Sequence, residues 1–174
     1  MKKLAVILSI LFLSINASAQ NGKMFEKSVE TGYAAGVGNI RSSVFNVAFN
    51  YDYRLSPLAS VGAGAGVGIT EGTYEKYLIP LYARFKLNFT DKKISPYFLM
   101  NVGYTFSPET KIGEGYGVTY AAYFGSDFNI LKGNSLYFQT GFLYQKHDVF
   151  NDLDYNEYLN KFLRGWDIRI GFRF

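Results

Sequence analysis

The feature that most constrains this chain is an alternation of apolar and charged residues in its final segment, 162–174. From position 166 on, the apolar residues are Trp166, Ile168, Ile170, Phe172 and Phe174. The residues between them are Asp167, Arg169, Gly171 and Arg173. A period of two is typical of a β-strand with one apolar and one polar face. In water such an apolar face needs a second layer to cover it, and no segment of the chain is suited to supply that layer.

The same alternation recurs along the chain and predicts eight strands. They are 29–38, 43–55, 59–70, 77–89, 96–106, 116–130, 135–145 and 162–174. Each strand reaches the roughly 9–11 residues that a tilted membrane strand needs. A sheet that is apolar outside and charged inside fits a closed barrel in a bilayer, because a closed sheet leaves no unpaired edge in lipid. We therefore predict an all-β fold, an eight-stranded antiparallel transmembrane β-barrel of up-and-down topology.

The amino-terminal segment is typical of an export signal. Lys2 and Lys3 precede an apolar run over 4–15, and Ala17-Ser18-Ala19 forms a cleavage pattern. The run is shorter than the ~20 apolar residues of a membrane-spanning helix. The sequence thus predicts a cleaved signal peptide over 1–19, a short amino-terminal segment over 20–28 and a barrel over 29–174.

The connections between the predicted strands alternate in length. The short ones are 56–58, 91–93 and 132–134, and those between them are 39–42, 71–76, 107–114 and 146–161. Barrels of this kind place short turns on the periplasmic side, so we expect both termini to be periplasmic. Pro80 lies within the fourth strand, and because it has no N–H to donate we expect a bulge or a weak pair there.

This pattern resembles the small outer-membrane β-barrels of the OmpA/OmpX type. The resemblance rests on the export signal, the eight alternating strands and the terminal aromatic strand, and it covers about 29–174. It implies a porin-like barrel in the outer membrane of a Gram-negative bacterium, in contact with membrane lipid. It also implies that the barrel-assembly machinery reads the apolar face of the last strand, whose members are Trp166, Ile168, Ile170, Phe172 and Phe174. We expect a monomer.

The predicted inner face carries charges of both signs. They are Glu30, Asp52, Arg54, Arg84, Lys86, Asp127, Asp167, Arg169 and Arg173. An eight-stranded barrel is about wide enough for side chains to fill it, which favours a plug of ion pairs with Tyr82, Tyr123 and Tyr137 as bulk. A narrow ion path through the same groups is the alternative. The order of the strands predicts that Glu30 pairs with Arg54 or Arg173.

The sequence contains no strong motif for catalysis, metal binding or nucleic-acid binding. His147 is the only histidine, and no serine stands near it in the sequence to complete a hydrolytic triad. The nearby acids lack the spacing of a Ca²⁺ loop, and no cluster has the spacing of other metal ligands. A formal charge of +4 without a basic run gives no case for nucleic acid. We therefore predict a protein without enzymatic activity, cofactor or nucleic-acid partner.

The last predicted outer loop, 146–161, contains aromatic residues among acids. Phe150, Tyr155 and Tyr158 are candidates for contact with an extracellular ligand of unknown identity, because exposed aromatic side chains often anchor partners. Continuation of the last hairpin above the membrane is an equal alternative. The sequence favours a structural or surface-interaction role through the outer loops. A small-solute or ion channel is the second interpretation, and a lipid A-modifying enzyme is the third.

Overall fold

A computed structural model describes residues 25–37, 43–71, 77–108, 117–131, 133–149 and 159–174. Their backbone forms eight strands, each hydrogen-bonded to the next, and β8 returns to β1 to close the barrel. The strands are β1 Phe25–Gly36, β2 Ser43–Arg54, β3 Ala59–Glu71, β4 Tyr77–Asn88, β5 Ile94–Phe106, β6 Gly117–Leu131, β7 Asn134–Val149 and β8 Leu159–Arg173. All eight pairings are antiparallel. The predicted fold is confirmed.

No helix long and apolar enough to cross a membrane occurs among the described residues.

The strand boundaries differ from the predicted ones mainly at the ends. β1 begins at Phe25, four residues before the predicted start, because Phe25 to Ser28 pair with β2. β7 and β8 are longer than predicted, since their ladder continues to the pair Val149–Leu159. The predicted signal peptide, 1–19, and the first part of the predicted 20–28 segment lie outside the described residues.

The two ends of the barrel differ in their connections. At one end, which we call the turn end, tight connections join β2 to β3, β4 to β5 and β6 to β7. Ser56 stabilises the first of them, because its hydroxyl accepts hydrogen bonds from the N–H groups of Leu58 and Ala59. Gly133 in the third has a φ of 86°, which a side chain rarely permits. The opposite end is called the loop end, and most of its four connecting segments lies outside the described residues.

The alternation of the sequence becomes an apolar outer face and a polar inner face. Large apolar or aromatic side chains are exposed on the outer face of all eight strands, including Phe45, Leu81, Met100, Phe138 and Ile170. Aromatic rings contact one another along this surface, as Phe98 and Phe124 do at 5.2 Å between centroids. An apolar ring around a closed barrel suits lipid, where no second protein layer is needed.

The stagger of the strands is set by the register. Ser28 pairs with a residue of β2, and that residue pairs with one of β3. The same step, repeated from strand to strand around the barrel, arrives at Leu163 in β8. Ser28 itself faces Arg173 across the closing pair, so the stagger is ten residues (173 − 163). Closure with stagger requires tilted strands, typically by about 35–45°.

The weak pair predicted at Pro80 is confirmed. The ladder between β3 and β4 passes from the pair Ala65–Leu81 directly to the pair Gly68–Leu78. On its other side Pro80 keeps its partner in β5, Thr105. The missing N–H therefore interrupts the pairing with β3 and leaves the pairing with β5 in register.

Candidate functional site

The candidate site is the interior of the barrel, where the predicted inner charges meet. Eight of the nine are buried in the lumen, and we call them the lumen network: Glu30, Asp52, Arg84, Lys86, Asp127, Asp167, Arg169 and Arg173. They comprise four acids and four bases, so their formal charges cancel. The ninth, Arg54, lies at the turn-end mouth, where its side chain is 41 % exposed.

Glu30 of β1 is the centre of the lumen network. Its Oε1 accepts a hydrogen bond from Nη1 of Arg169 at 2.7 Å. Its Oε2 accepts one from the Tyr137 hydroxyl at 2.8 Å and a longer one from Nε2 of Gln139 at 3.5 Å. Donors from β7 and β8 thus converge on one carboxylate of β1, as a charge removed from water requires.

Arg169 is held by a second carboxylate on its own strand. Its Nε and Nη2 contact Oδ2 of Asp167 at 2.9 and 2.7 Å. The same oxygen accepts a hydrogen bond from the Tyr123 hydroxyl at 2.7 Å, while the guanidinium lies 5.1 Å from the centroid of the Tyr123 ring. Two acids and an aromatic face therefore surround this one cation, which offsets the cost of its burial.

Arg84 of β4 extends the network across the lumen. Its Nε lies 3.1 Å from Oδ1 of Asp52, and its Nη1 lies 3.7 Å from Oε2 of Glu30. These contacts are close ion pairs, but the N–H groups on Nε and Nη1 are not aligned for hydrogen bonds. Arg84 therefore acts on both carboxylates mainly through its charge.

A second cluster lies toward the turn end. Asp127 of β6 accepts hydrogen bonds through Oδ2 from Lys86 and, at 3.0 Å, from Nη1 of Arg173. The Lys86 ammonium lies 3.9 Å from the centroid of the Tyr97 ring. Nε of Arg173 lies 3.4 Å from the Glu26 carboxylate. One acid thus bridges two cations that approach from β4 and β8.

The predicted partners of Glu30 were wrong, although its inward direction was right. Arg54 pairs with Glu26 at the mouth, and Arg173 pairs with Glu26 and Asp127. The cause is the early start of β1, which places Glu26 at the mouth and Glu30 deeper in the lumen. There the residue directly opposite in β8 is Gly171, and its missing side chain lets Arg169 approach from the diagonal position.

Tyrosine rings fill the space between these charges. The predicted bulk residues Tyr82, Tyr123 and Tyr137 are buried, and so is Tyr97, which the sequence analysis did not single out. Tyr97 donates a hydrogen bond to Oε1 of Gln139 at 2.8 Å. The signal for Tyr97 was available, because it alternates with the outward Phe98 and Met100 in β5.

Three of these rings lie over a glycine of the adjacent strand. The register places Tyr82 opposite Gly64, Tyr97 opposite Gly125 and Tyr137 opposite Gly171. A Cβ at Gly125 would come within 2.6 Å of the Tyr97 ring, and a Cβ at Gly64 or Gly171 would overlap its ring as well. The small inward residues and the large ones are therefore complementary parts of the same filling.

Free space remains on both sides of the lumen network. On the loop-end side is a cavity of about 40 Å³, measured as the space open to the centre of a water-sized sphere. We call it the loop-end cavity. On the other side is a depression of about 420 Å³ at the turn-end mouth, lined in part by Glu26, Arg54 and Arg173. The two spaces have no lining residue in common.

The remaining predicted site residues are His147 and the three aromatic residues of the last predicted outer loop. The backbone of His147 is in β7 opposite Lys161 of β8, and its side chain lies outside the description. Phe150, Tyr155 and Tyr158, the candidates for ligand contact, also lie outside the described residues. No three His, Cys, Asp or Glu side chains group as metal ligands in the described part of the chain.

The apolar face of the last strand is as predicted for four of its five members. Trp166, Ile168, Ile170 and Phe172 are exposed on the outer surface. Phe174 is only 5 % exposed, so neighbouring groups cover it. It lies beyond the end of β8, bonds to Lys27 through both backbone groups and stacks its ring on Phe172 at 6.3 Å between centroids.

Comparisons with known proteins find similarity in structure only. No family model matches the chain, and no curated protein matches it. Neisserial surface protein A superposes with a TM-score of 0.64 and 12 % identity, over 88 % of this chain and 98 % of that one. The outer membrane enzyme PagL gives a TM-score of 0.59 and 13 % identity, over 83 % of this chain and 97 % of that one. OprG from Pseudomonas aeruginosa gives a TM-score of 0.57 and 11 % identity, over 86 % of this chain and 93 % of that one.

The chain has the fold of the small eight-stranded outer-membrane β-barrels. The predicted resemblance is thereby confirmed at the level of the fold. By their names, one of these barrels is a surface protein and another is an enzyme. A shared barrel fold therefore does not assign a function, because function depends on the site that each barrel carries.

The first prediction concerns the ring of Tyr137, which lies over Gly171. Gly171→Ala should displace that ring and break its hydrogen bond to Glu30, lowering the free energy of unfolding by about 1–3 kcal/mol, as overpacking does. Gly68→Ala is the matched control, because the nearest side-chain atom to its added Cβ would be Cγ1 of Val44 at 3.2 Å. Urea unfolding from lipid vesicles measures both. Equal stability of the two variants would contradict the role given to Gly171.

Proposed function

We propose that this chain is an integral outer-membrane protein whose barrel is a closed plug rather than a conduit. Its role is structural, or is surface interaction through the connections at the loop end. The turn end and both termini face the periplasm, and the loop end faces the outside, in keeping with the usual orientation of short turns in such barrels. The protein works as a monomer in contact with membrane lipid.

The outer surface supports the location in a membrane. Large apolar side chains are exposed on every strand of the described barrel. A protein in water rarely exposes so much contiguous apolar surface, whereas a bilayer requires it. The closed hydrogen-bonded wall also satisfies its own backbone groups, as lipid demands.

The observation that carries the plug is the balance of the lumen network. Its four acids and four bases are all buried, and each lies within ion-pair distance of a group of opposite sign. Opening a path along the axis would separate these pairs and leave charges unpaired in a poorly hydrated interior. That cost favours the filled state.

A narrow channel is the second candidate, and the two free spaces favour it. Along β2 the loop-end cavity reaches Ala48 and the turn-end depression begins at Arg54, with Asp52 between them. Along β4 the cavity ends at Tyr82, and Arg84 follows it. An ion would have to displace one layer of paired charges and tyrosines to pass.

An enzymatic role is the third candidate. PagL shows that a barrel of this fold accommodates an enzyme. In the present chain the case rests on His147, whose backbone neighbours across the ladder are Lys161 and, one pair further, Asn160. Neither is a nucleophile of the kind a hydrolytic triad uses, so the proposal remains a barrel without catalysis.

Conductance in planar lipid bilayers tests the plug. The unmodified protein should give no steady single-channel steps, because the lumen network occupies the bore. Neutralising Arg84→Gln together with Lys86→Gln should raise conductance or lower thermal stability, since Asp52 would lose its cation and Glu30 and Asp127 would each lose one of two.

The control neutralises two other cations at the turn end. Lys92→Gln with Lys93→Gln removes the same charge from an exposed turn, and this variant should behave like the unmodified protein. Large, stable steps from the unmodified protein would contradict the plug and favour the channel.

The last strand is proposed to be read by the barrel-assembly machinery. Replacing Phe172 and Phe174 with Ser should reduce the amount of folded barrel in the membrane more strongly than replacing Phe138 and Phe142 of β7. All but Phe174 are exposed on the outer face, so the second pair controls for the loss of lipid-facing rings. Immunoblotting of membrane fractions, unboiled and boiled, measures folded protein. Equal loss in both double variants would show a lipid-contact effect and refute an assembly signal.

A further inference from the structure

We propose that the loop-end cavity is a binding site for the hydroxyl end of a short linear alcohol. The cavity lies on the loop-end side of the lumen network and is separate from the ion pairs that form the plug. Three observations lead to this ligand class: unpaired carbonyl oxygens in its wall, apolar side chains in its lining and a floor whose charges are already neutralised.

The wall offers hydrogen-bond acceptors that have no donor. Asn46 of β2 and Asn101 of β5 line the cavity, and they are only 5 % and 4 % exposed. The Oδ1 atom of each side chain is buried without a hydrogen-bond partner. A buried acceptor without a donor costs free energy. A ligand that donates a hydrogen bond to this acceptor removes that cost and therefore binds more tightly.

Part of the lining beside these amides is apolar. Val44, Leu78, Ala121 and Leu143 are buried side chains from four different strands, and all of them line the cavity. An alkyl chain in the cavity would lie against them and leave water. The cavity thus offers both an acceptor for the hydroxyl group and apolar surface for the alkyl group of one ligand.

The floor selects against charge. Arg169 lines it, but its guanidinium is already paired with Glu30 and Asp167. An ammonium group would add an uncompensated positive charge to a balanced interior, and a carboxylate would face the unpaired oxygens of Asn46 and Asn101. A neutral hydroxyl group avoids both of these costs.

The size of the cavity limits the ligand. A water needs about 10–15 Å³ of such space, so a volume of about 40 Å³ admits the end of one unbranched chain and excludes a ring. Ordered water is the competing occupant, and the test distinguishes it from the alcohol.

The test is a methyl NMR titration of the full barrel in lipid nanodiscs. The probes are 1-butanol, butylammonium and butyrate, followed at the methyl groups of Thr119 and Ala121, which line the cavity. We expect saturable shifts with 1-butanol and binding at least about tenfold weaker for both ions. No saturable shift with 1-butanol means that the cavity holds water only, and equal binding of the three probes means that the floor does not select; either result overturns the proposal.

Two matched variants locate the binding. Ala121→Leu fills the cavity and should abolish the shifts at Thr119, whereas Ala122→Leu adds the same bulk to the adjacent exposed position on the outer face and should leave them unchanged. The difference in migration between unboiled and boiled protein in SDS confirms that each variant is folded. If Ala121→Leu does not fold, Ala48→Leu fills the same cavity from β2. Shifts that persist in the filled variant would place the alcohol in lipid and overturn the proposal.

Discussion

The contact between the Glu30 carboxylate and the Arg169 guanidinium holds the interior of this barrel together. A wall of eight strands leaves a bore that side chains fill, so a charge inside it meets other side chains rather than bulk water. Glu30 receives donors from β7 and β8, and Arg169 passes the interaction to Asp167 and the Tyr123 hydroxyl. Removing either member would leave its partners buried without compensation, which is the expensive outcome for a buried ion pair. The proposed plug and the hydrogen bonds that Tyr123 and Tyr137 donate depend on this pairing.

The sequence alone predicted the fold and the inward or outward direction of most side chains, because a period of two leaves little freedom once strands pair on both sides. It did not predict which inner charges would meet. Glu30 was assigned to the wrong arginines because the start of β1 was placed four residues late, and a polar strand end carries almost no periodic signal. Phe174 lies beyond the last residue of β8 and is covered by neighbouring groups, which its place in the alternation did not indicate. The rings over Gly64, Gly125 and Gly171 needed the register between strands, which no single strand encodes.

The interior is divided along its axis. Charge pairs occupy the middle and the turn-end side, while neutral amides and apolar side chains surround the loop-end cavity. This division is what the proposed plug requires, and it leaves room for a small neutral group on one side. The interruption of the ladder at Pro80 lies in the wall of the same cavity.

A double-mutant cycle on Glu30 and Arg169 tests the central claim most directly. Glu30→Gln, Arg169→Met and the double variant are unfolded in urea from lipid vesicles, and the mouth pair Glu26 and Arg54, whose arginine side chain is 41 % exposed, serves as the reference cycle. Each single change in the lumen should cost several kcal/mol, of order 3–5, and the double variant should cost much less than their sum. The mouth pair should show a coupling of at most about 1 kcal/mol, as exposed ion pairs do. Additive effects at Glu30 and Arg169, or a coupling no larger than that of the mouth pair, would contradict a plug built on buried charge pairs.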